Sequence, residues 1–320
     1  TDPLVHHGRH FGRSIYAFAN IHALLIAGMG WNEDEPPETQ QERREMRVYR
    51  KLLKLIPDLE KRIMNIESQE ELMSIANMLQ KGASSARSDD TKSLKGAIID
   101  WIVPPNGEPL HPPLSRNMKA KRGFEHDRTG FLLCPAELDW SDEEIRQQLR
   151  NKELTVSGSH WPIFLYQNER FNQDDPWQGL FRSKILVSGF KHIFTSPSSV
   201  DDEPKATRSG NARIHGMTHV TPASIAYVAT QVRFALSSAS VFSRTDRETD
   251  SETFYTSTLE LLEDPEEQDE VKQLLTWWNQ RIFPSFSNTR RLVPTNSALS
   301  KIKQRRAALK EVVNQSLPAQ

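Results

Sequence analysis

The sequence predicts a mainly α-helical protein: an irregular multi-helix globular domain with long loops and at most a small strand component. Three observations predict it. Apolar residues recur at helical spacing through most of the chain, as in Ile15, Phe18, Ala19, His22, Leu25 and Ile26. Helix start signals stand ahead of such runs, Thr221-Pro222 being the clearest. The 7 Trp and 14 Phe in 320 residues supply bulky apolar side chains for a large core, which a disordered chain lacks.

Region 1–30 reads as an N-terminal apolar helix packing on the core, with the helix itself over 11–28 and Gly28 and Gly30 ending it. Region 31–103 is helical. After the solvated "EDEPPE" come helices at about 39–56, stopped by Pro57, then 59–66, 69–82 and 89–103. Residues 104–136 form a long Pro/Gly-rich basic loop, and a connection of that length in a compact domain is usually functional. Region 137–320 reads as a helical core, integrated with the rest in one domain, that carries a basic loop at 201–221 and an acidic segment at 246–270.

Within that last region, Ser141 and Glu144 suggest a capping box. "HWPIFLY" suits a buried strand or an extended apolar segment, and "DPWQGLFRSKILVSGFKHIF" a helix with Pro176 in its first turn. Further helices are expected over 222–239, over 251–262 and 266–282 on either side of Pro265, and over 297–314.

The net charge of −1 hides strong segregation. Residues 246–270 hold eleven acids against Arg247, whereas 281–310 hold eight Lys or Arg and no acid. Blocks this uneven polarise a surface, unlike the uniform basic excess of a small DNA-binding module. One cysteine, Cys134, excludes an internal disulfide framework and suits an intracellular, reducing compartment, nuclear or cytoplasmic. No apolar run is long enough for a transmembrane helix, and no signal peptide is visible, so no membrane partner is expected. The chain starts at Thr1 rather than Met, which points to a fragment.

Catalytic signatures are missing: there is no G-x-S-x-G, P-loop, G-x-G-x-x-G or H-E-x-x-H. No catalytic residue and no cofactor is therefore assigned. "HHGRH" sets His6 and His10 at i, i+4, and "HGMTH" sets His215 and His219 likewise, but no cysteine pair completes a zinc set and no metal is expected. Glu203 and Lys205 in "DDEPK" outline a metal-dependent nuclease site, though the surrounding stretch reads as loop rather than the paired strands such sites use. Cys134 in "FLLCP" reads as a buried small hydrophobe.

Taken together, "ARSDDTKSLKGAI", "PPLSRN", "RTGFLLCP", "FKHIFTSPSSV", "TRSGNARIHGM" and "PASIAYVATQVRFALSS" resemble a large family of uncharacterised proteins from mushroom-forming fungi, expanded in their transposon-rich genomes. The resemblance implies a fungal intracellular protein present in many copies. Its association with mobile elements implies a nuclear, DNA-related role, and it supplies neither an activity nor a catalytic residue.

Candidate binding residues cluster in basic loops. "KATRSGNARIHGMTHVTP" delivers Lys205, Arg208, Asn211, Arg213 and His215 toward the Thr221-Pro222 helix start, where unpaired N–H groups and the helix dipole favour an anion. The competing reading pairs Arg208 and Arg213 with acids inside the chain. "SRNMKAKRGFEHDR" brings Arg116, Lys119, Lys121, Arg122 and Arg128 against Glu125 and Asp127, with Phe124 available to stack. Here a solvated loop is the plainer reading. The C-terminal "SKIKQRRAALK" offers a basic helix that suits a duplex, a nuclear address or the acidic block. Lys191 and Arg233 complete the expected surface.

The function expected from these features is nucleic-acid binding, DNA first, by phosphate contacts from basic loops. Two alternatives stand beside it: a protein-interaction module with self-complementary acidic and basic surfaces, including self-association, and a metal-dependent nuclease.

Overall fold

A computed structural model describes residues 2–31, 37–104, 107–200, 210–245 and 250–284, with 301, 302, 305 and 306. It is mainly α, with long irregular connections. Among the described residues there is no named strand, only two isolated antiparallel bridges, Pro135 with Pro162 and Tyr166 with Leu180. No described helix is long and apolar enough to cross a membrane.

The N-terminal apolar stretch is two helices, not one. Asp2 caps α1 (Pro3–Ser14) and Asn20 caps α2 (Ile21–Gly30). Between them the backbone is held by side chains from elsewhere. The Tyr255 hydroxyl accepts from the Ala17 N–H, and Arg87 and Arg244 donate to the Ala17 and Phe18 carbonyls. A full capping box of Thr39 and Glu42 opens α3 (Gln40–Leu55), and α4 (Leu59–Met64) follows.

The helices expected at 69–82 and 89–103 are one 33-residue helix, α5 (Gln69–Trp101). Gly82, which suggested a stop, instead lies where α1 crosses. A Cβ there would fall 2.1 Å from the Val5 carbonyl oxygen, and one on Gly8 would fall 2.1 Å from that of Leu79. Two glycines let the backbones touch.

Residues 104–136 are not loop throughout, since they include α6 (Asp127–Leu133). In α7 (Glu143–Arg150) the cap is Asp142, and Ser141 bonds Asp139 instead. "HWPIFLY" holds a buried 3-10 turn at Ile163–Leu165. The helix expected from Pro176 starts later: turns occupy 176–179, then Ser183 caps α8 (Lys184–Phe190), which runs on as a π turn over Lys191–Thr195.

A single turn, α9 (Asn211–Ile214), precedes α10 (Pro222–Leu236), whose cap is the expected Thr221. Every residue from Ala223 to Leu236 is buried. Such a helix belongs at the centre of a core, and α1, α5, α6 and α8 surround it together with α11 (Ser251–Glu263). The last described helix is α12 (Gln268–Ile282). The larger core joins α10 to the C-terminal half of α5, to α8 and to α11 and α12, with Phe190, Phe254, Tyr255 and Trp278 fully buried. A second core lies among α1 to α4 and the first half of α5.

Candidate nucleic-acid interface

Four segments close into one surface. His6 and His10 on α1 stack on His215, with ring centroids 4.1 and 4.5 Å apart. Arg9 reaches α5, donating to Ser85 and Asp89 at 2.7 and 2.8 Å. His192 in the π turn meets Ser93 of α5 at 3.1 Å. Asn211 closes the ring, donating its amide to the Ile193 carbonyl at 2.5 Å. Gly210 makes that closure possible, because a Cβ there would fall 1.5 Å from the Thr195 carbonyl oxygen.

Beneath this ring, Arg13 grips Asp90 with two hydrogen bonds of 2.8 and 2.7 Å, and the Tyr227 hydroxyl donates to the same carboxylate at 2.6 Å. All three are buried, and they tie α1, α5 and α10 together. Burial and the neighbouring Asp90 push the Tyr227 phenol well above its ordinary range.

Three acids on the surface segments are engaged. Asp2 caps α1, Asp89 pairs with Arg9 and Asp90 with Arg13. Of the cations, Lys92 and Arg213 are exposed and Lys191 is half-buried. None of these three has an acidic partner among the described residues. The acidic segment, where internal pairing was the competing expectation for Arg213, is matched by other residues: Glu260 pairs with Arg44, Glu263 with Arg47 and Lys51, and Glu252 with Arg244.

The predicted residues divide sharply. Arg213 and Lys191 belong to α9 and the π turn, Arg213 exposed and Lys191 half-buried. Asn211 and His215 build the ring rather than reach out from it. His215 is held down to about 3 by burial and by the other histidines and Arg13, and His10 is held down to about 4 in the same way, so both rings stay neutral near pH 7. The rings meet face to face, and among the described residues no three His, Cys, Asp or Glu side chains are arranged to hold a metal ion.

The 116–128 segment differs from the exposed loop the sequence suggested. Lys119 is buried against the last turn of α10, donating to the Phe234 and Ala239 carbonyls at 2.5 and 2.7 Å, with its ammonium 3.3 Å from the Phe234 ring centroid. Arg122 is fully buried and donates to the Ala235, Lys95 and Ser115 carbonyls. Burial pushes Lys119 down to about 7, with Arg122 and Lys95 adding, and Arg122 down to about 10. Two cations thus occupy the negative end of α10. Arg116 pairs with Asp100, Arg128 binds Glu169 with two bonds, and Lys121 is exposed.

Arg233, expected on the surface, is buried because α10 is enclosed on every side, and its guanidinium stands 4.9 Å from the Phe254 ring centroid. Burial pushes the Cys134 thiol up to about 12, which fits an inert core residue. Lys205, Arg208 and the "DDEPK" acids lie outside the described residues, as does most of the 297–314 helix.

Sequence reasoning missed Arg9 and Lys92. Neither sits in a basic run, and Arg9 meets α5 only because α1 crosses it.

Fold and contacts together define a mainly α-helical domain with a central buried helix, around which four separate segments meet in one ring of contacts. Residues 81–283 match a family of unknown function, DUF6698, and the chain belongs to that family. The matched stretch holds Lys92, Lys191 and Arg213 but not Arg9. No curated protein and no solved structure matches the chain.

Proposed function

We propose that the protein binds nucleic acid, DNA in the first place, through phosphate contacts from the face that α1, α5, the π turn and α9 form. One observation carries this reading: Arg9, Lys92, Lys191 and Arg213 come from segments joined in a closed ring of contacts, and Asp2, Asp89 and Asp90 on those segments are already engaged. Such a surface attracts a polyanion without reading its sequence. The resemblance to fungal proteins expanded in transposon-rich genomes points the same way, toward a nuclear role connected with mobile elements.

The test is fluorescence anisotropy with a labelled duplex across a range of NaCl concentrations. Four phosphate contacts predict a slope of log affinity against log salt of about −3.6. The double variant Lys191→Ala, Arg213→Ala should lower its magnitude by about 1.8. An unchanged slope and affinity would show that these residues do not form the site.

A further inference from the structure

The cations that left the surface converge elsewhere. Lys119, Arg122 and Arg233 all sit at the C-terminal end of α10, and a cavity of about 430 Å³ opens beside that end. The volume falls in the range of small-molecule sites, roughly 300 to 1,000 Å³. Its walls are apolar: Phe124, Leu133 and Leu149 on one side of the chain path, Leu154 and Val156 from the segment after α7. Arg233 of α10 and Ser237 and Ser238 just beyond its end also line it. Arg150 and Lys152 also line it, against Glu125 as the one acid.

A helix C-terminus normally presents carbonyl oxygens and negative potential. Here Lys119 and Arg122 take up the Phe234, Ala235 and Ala239 carbonyls from within the fold. The end of α10 therefore faces the cavity with its carbonyl charge offset and with a guanidinium added. Arg150 already donates to the Phe124 carbonyl and to Asp127, which fixes that wall in place. Arg233 lines the cavity from α10 with its guanidinium 4.9 Å from the Phe254 ring centroid, and a guanidinium is the side chain best shaped to meet a carboxylate or phosphate.

We propose that this cavity binds a small molecule with an apolar body and a single acidic group, a carboxylate or a phosphate monoester, with the acid at the Arg233, Ser237 and Ser238 end and the apolar body against Leu149, Leu154 and Val156. The site is independent of the nucleic-acid face.

Isothermal titration of the full chain with dodecanoate, dodecyl phosphate and dodecanol tests it. One of the two acids should saturate at one site per chain, and which one does identifies the headgroup. Dodecanol, with the same apolar body and no charge, should bind roughly tenfold more weakly or worse. Val156→Trp fills the cavity from a partly exposed segment and should abolish binding while leaving the thermal melt intact. Lys152→Glu at the exposed rim gives an independent check: acid binding should weaken and dodecanol binding should not change. The proposal is overturned if neither acid saturates by about 1 mM, if dodecanol binds as well as the acids, or if a folded Val156→Trp variant binds normally.

Discussion

Lys119 and Arg122 stand three residues apart in a segment whose composition suggests solvent, yet both are buried. Each meets carbonyl oxygens rather than a carboxylate. A buried cation is tolerable when several aligned dipoles replace its hydration, and the end of a helix supplies them. Replacing Arg122 by Met leaves three carbonyls without their charged donor, and chemical denaturation should report a loss of about 3 kcal/mol. A loss under about 0.5 kcal/mol would show that the carbonyls find other partners. The histidine stack makes a second prediction. His10 and His215 titrate below the ordinary value of 6.5 in the folded chain, so the unfolded chain binds more protons under that pH. Their contribution is complete above about pH 6.5 and is lost as pH falls toward 4 and then 3. For His10 alone it is on the order of 3 kcal/mol. The double variant His10→Gln, His215→Gln should therefore flatten the acid side of the stability profile; a profile parallel to that of the unmodified chain would remove the histidines from the account.

At the scale of elements, capping and periodicity explain most boundaries and tertiary contact explains the exceptions. Thr39 with Glu42, Ser68, and Thr221 with Pro222 start helices where their chemistry says they should. The exceptions are instructive. The apolar run at 11–28 breaks at Ile15 to Asn20 because side chains of α5, α11 and Arg244 satisfy the backbone there. Gly82 does not stop α5 because its missing side chain is used for a close crossing. Gly82→Ala would drive a methyl into the Val5 carbonyl, and the thermal melt should show a cost of about 3 kcal/mol, despite the higher helix propensity of Ala. A stabilising effect would mean that the helices can separate at no cost. Local signals cannot distinguish a glycine that ends a helix from one that lets another helix approach, since the difference lies in a chain segment some seventy positions away.

For the whole molecule, the tie among Arg13, Asp90 and Tyr227 joins the N-terminal helices to the central one. Asp90→Asn would leave the Arg13 guanidinium buried without its counter-charge, which costs about 3 to 5 kcal/mol. If the pair serves chiefly to hold α1 in place, hydrogen exchange should quicken in α1 before α12, and uniform acceleration would contradict that role. The same placement of α1 brings Arg9 to Asp89 and sets His6 and His10 on His215. The sequence by itself determined the helical class, a helix after residue 222 and its Thr221-Pro222 start, because these follow from spacing and capping within a few residues. It also singled out Arg213 and Lys191. Only the tertiary structure decided which cations meet solvent. Charge runs record what a segment carries and not which way it faces. The packing of α10 drew Lys119, Arg122 and Arg233 inward to its carbonyl end, while the α1–α5 crossing set Arg9 against Asp89 and left Lys92 and Arg213 exposed.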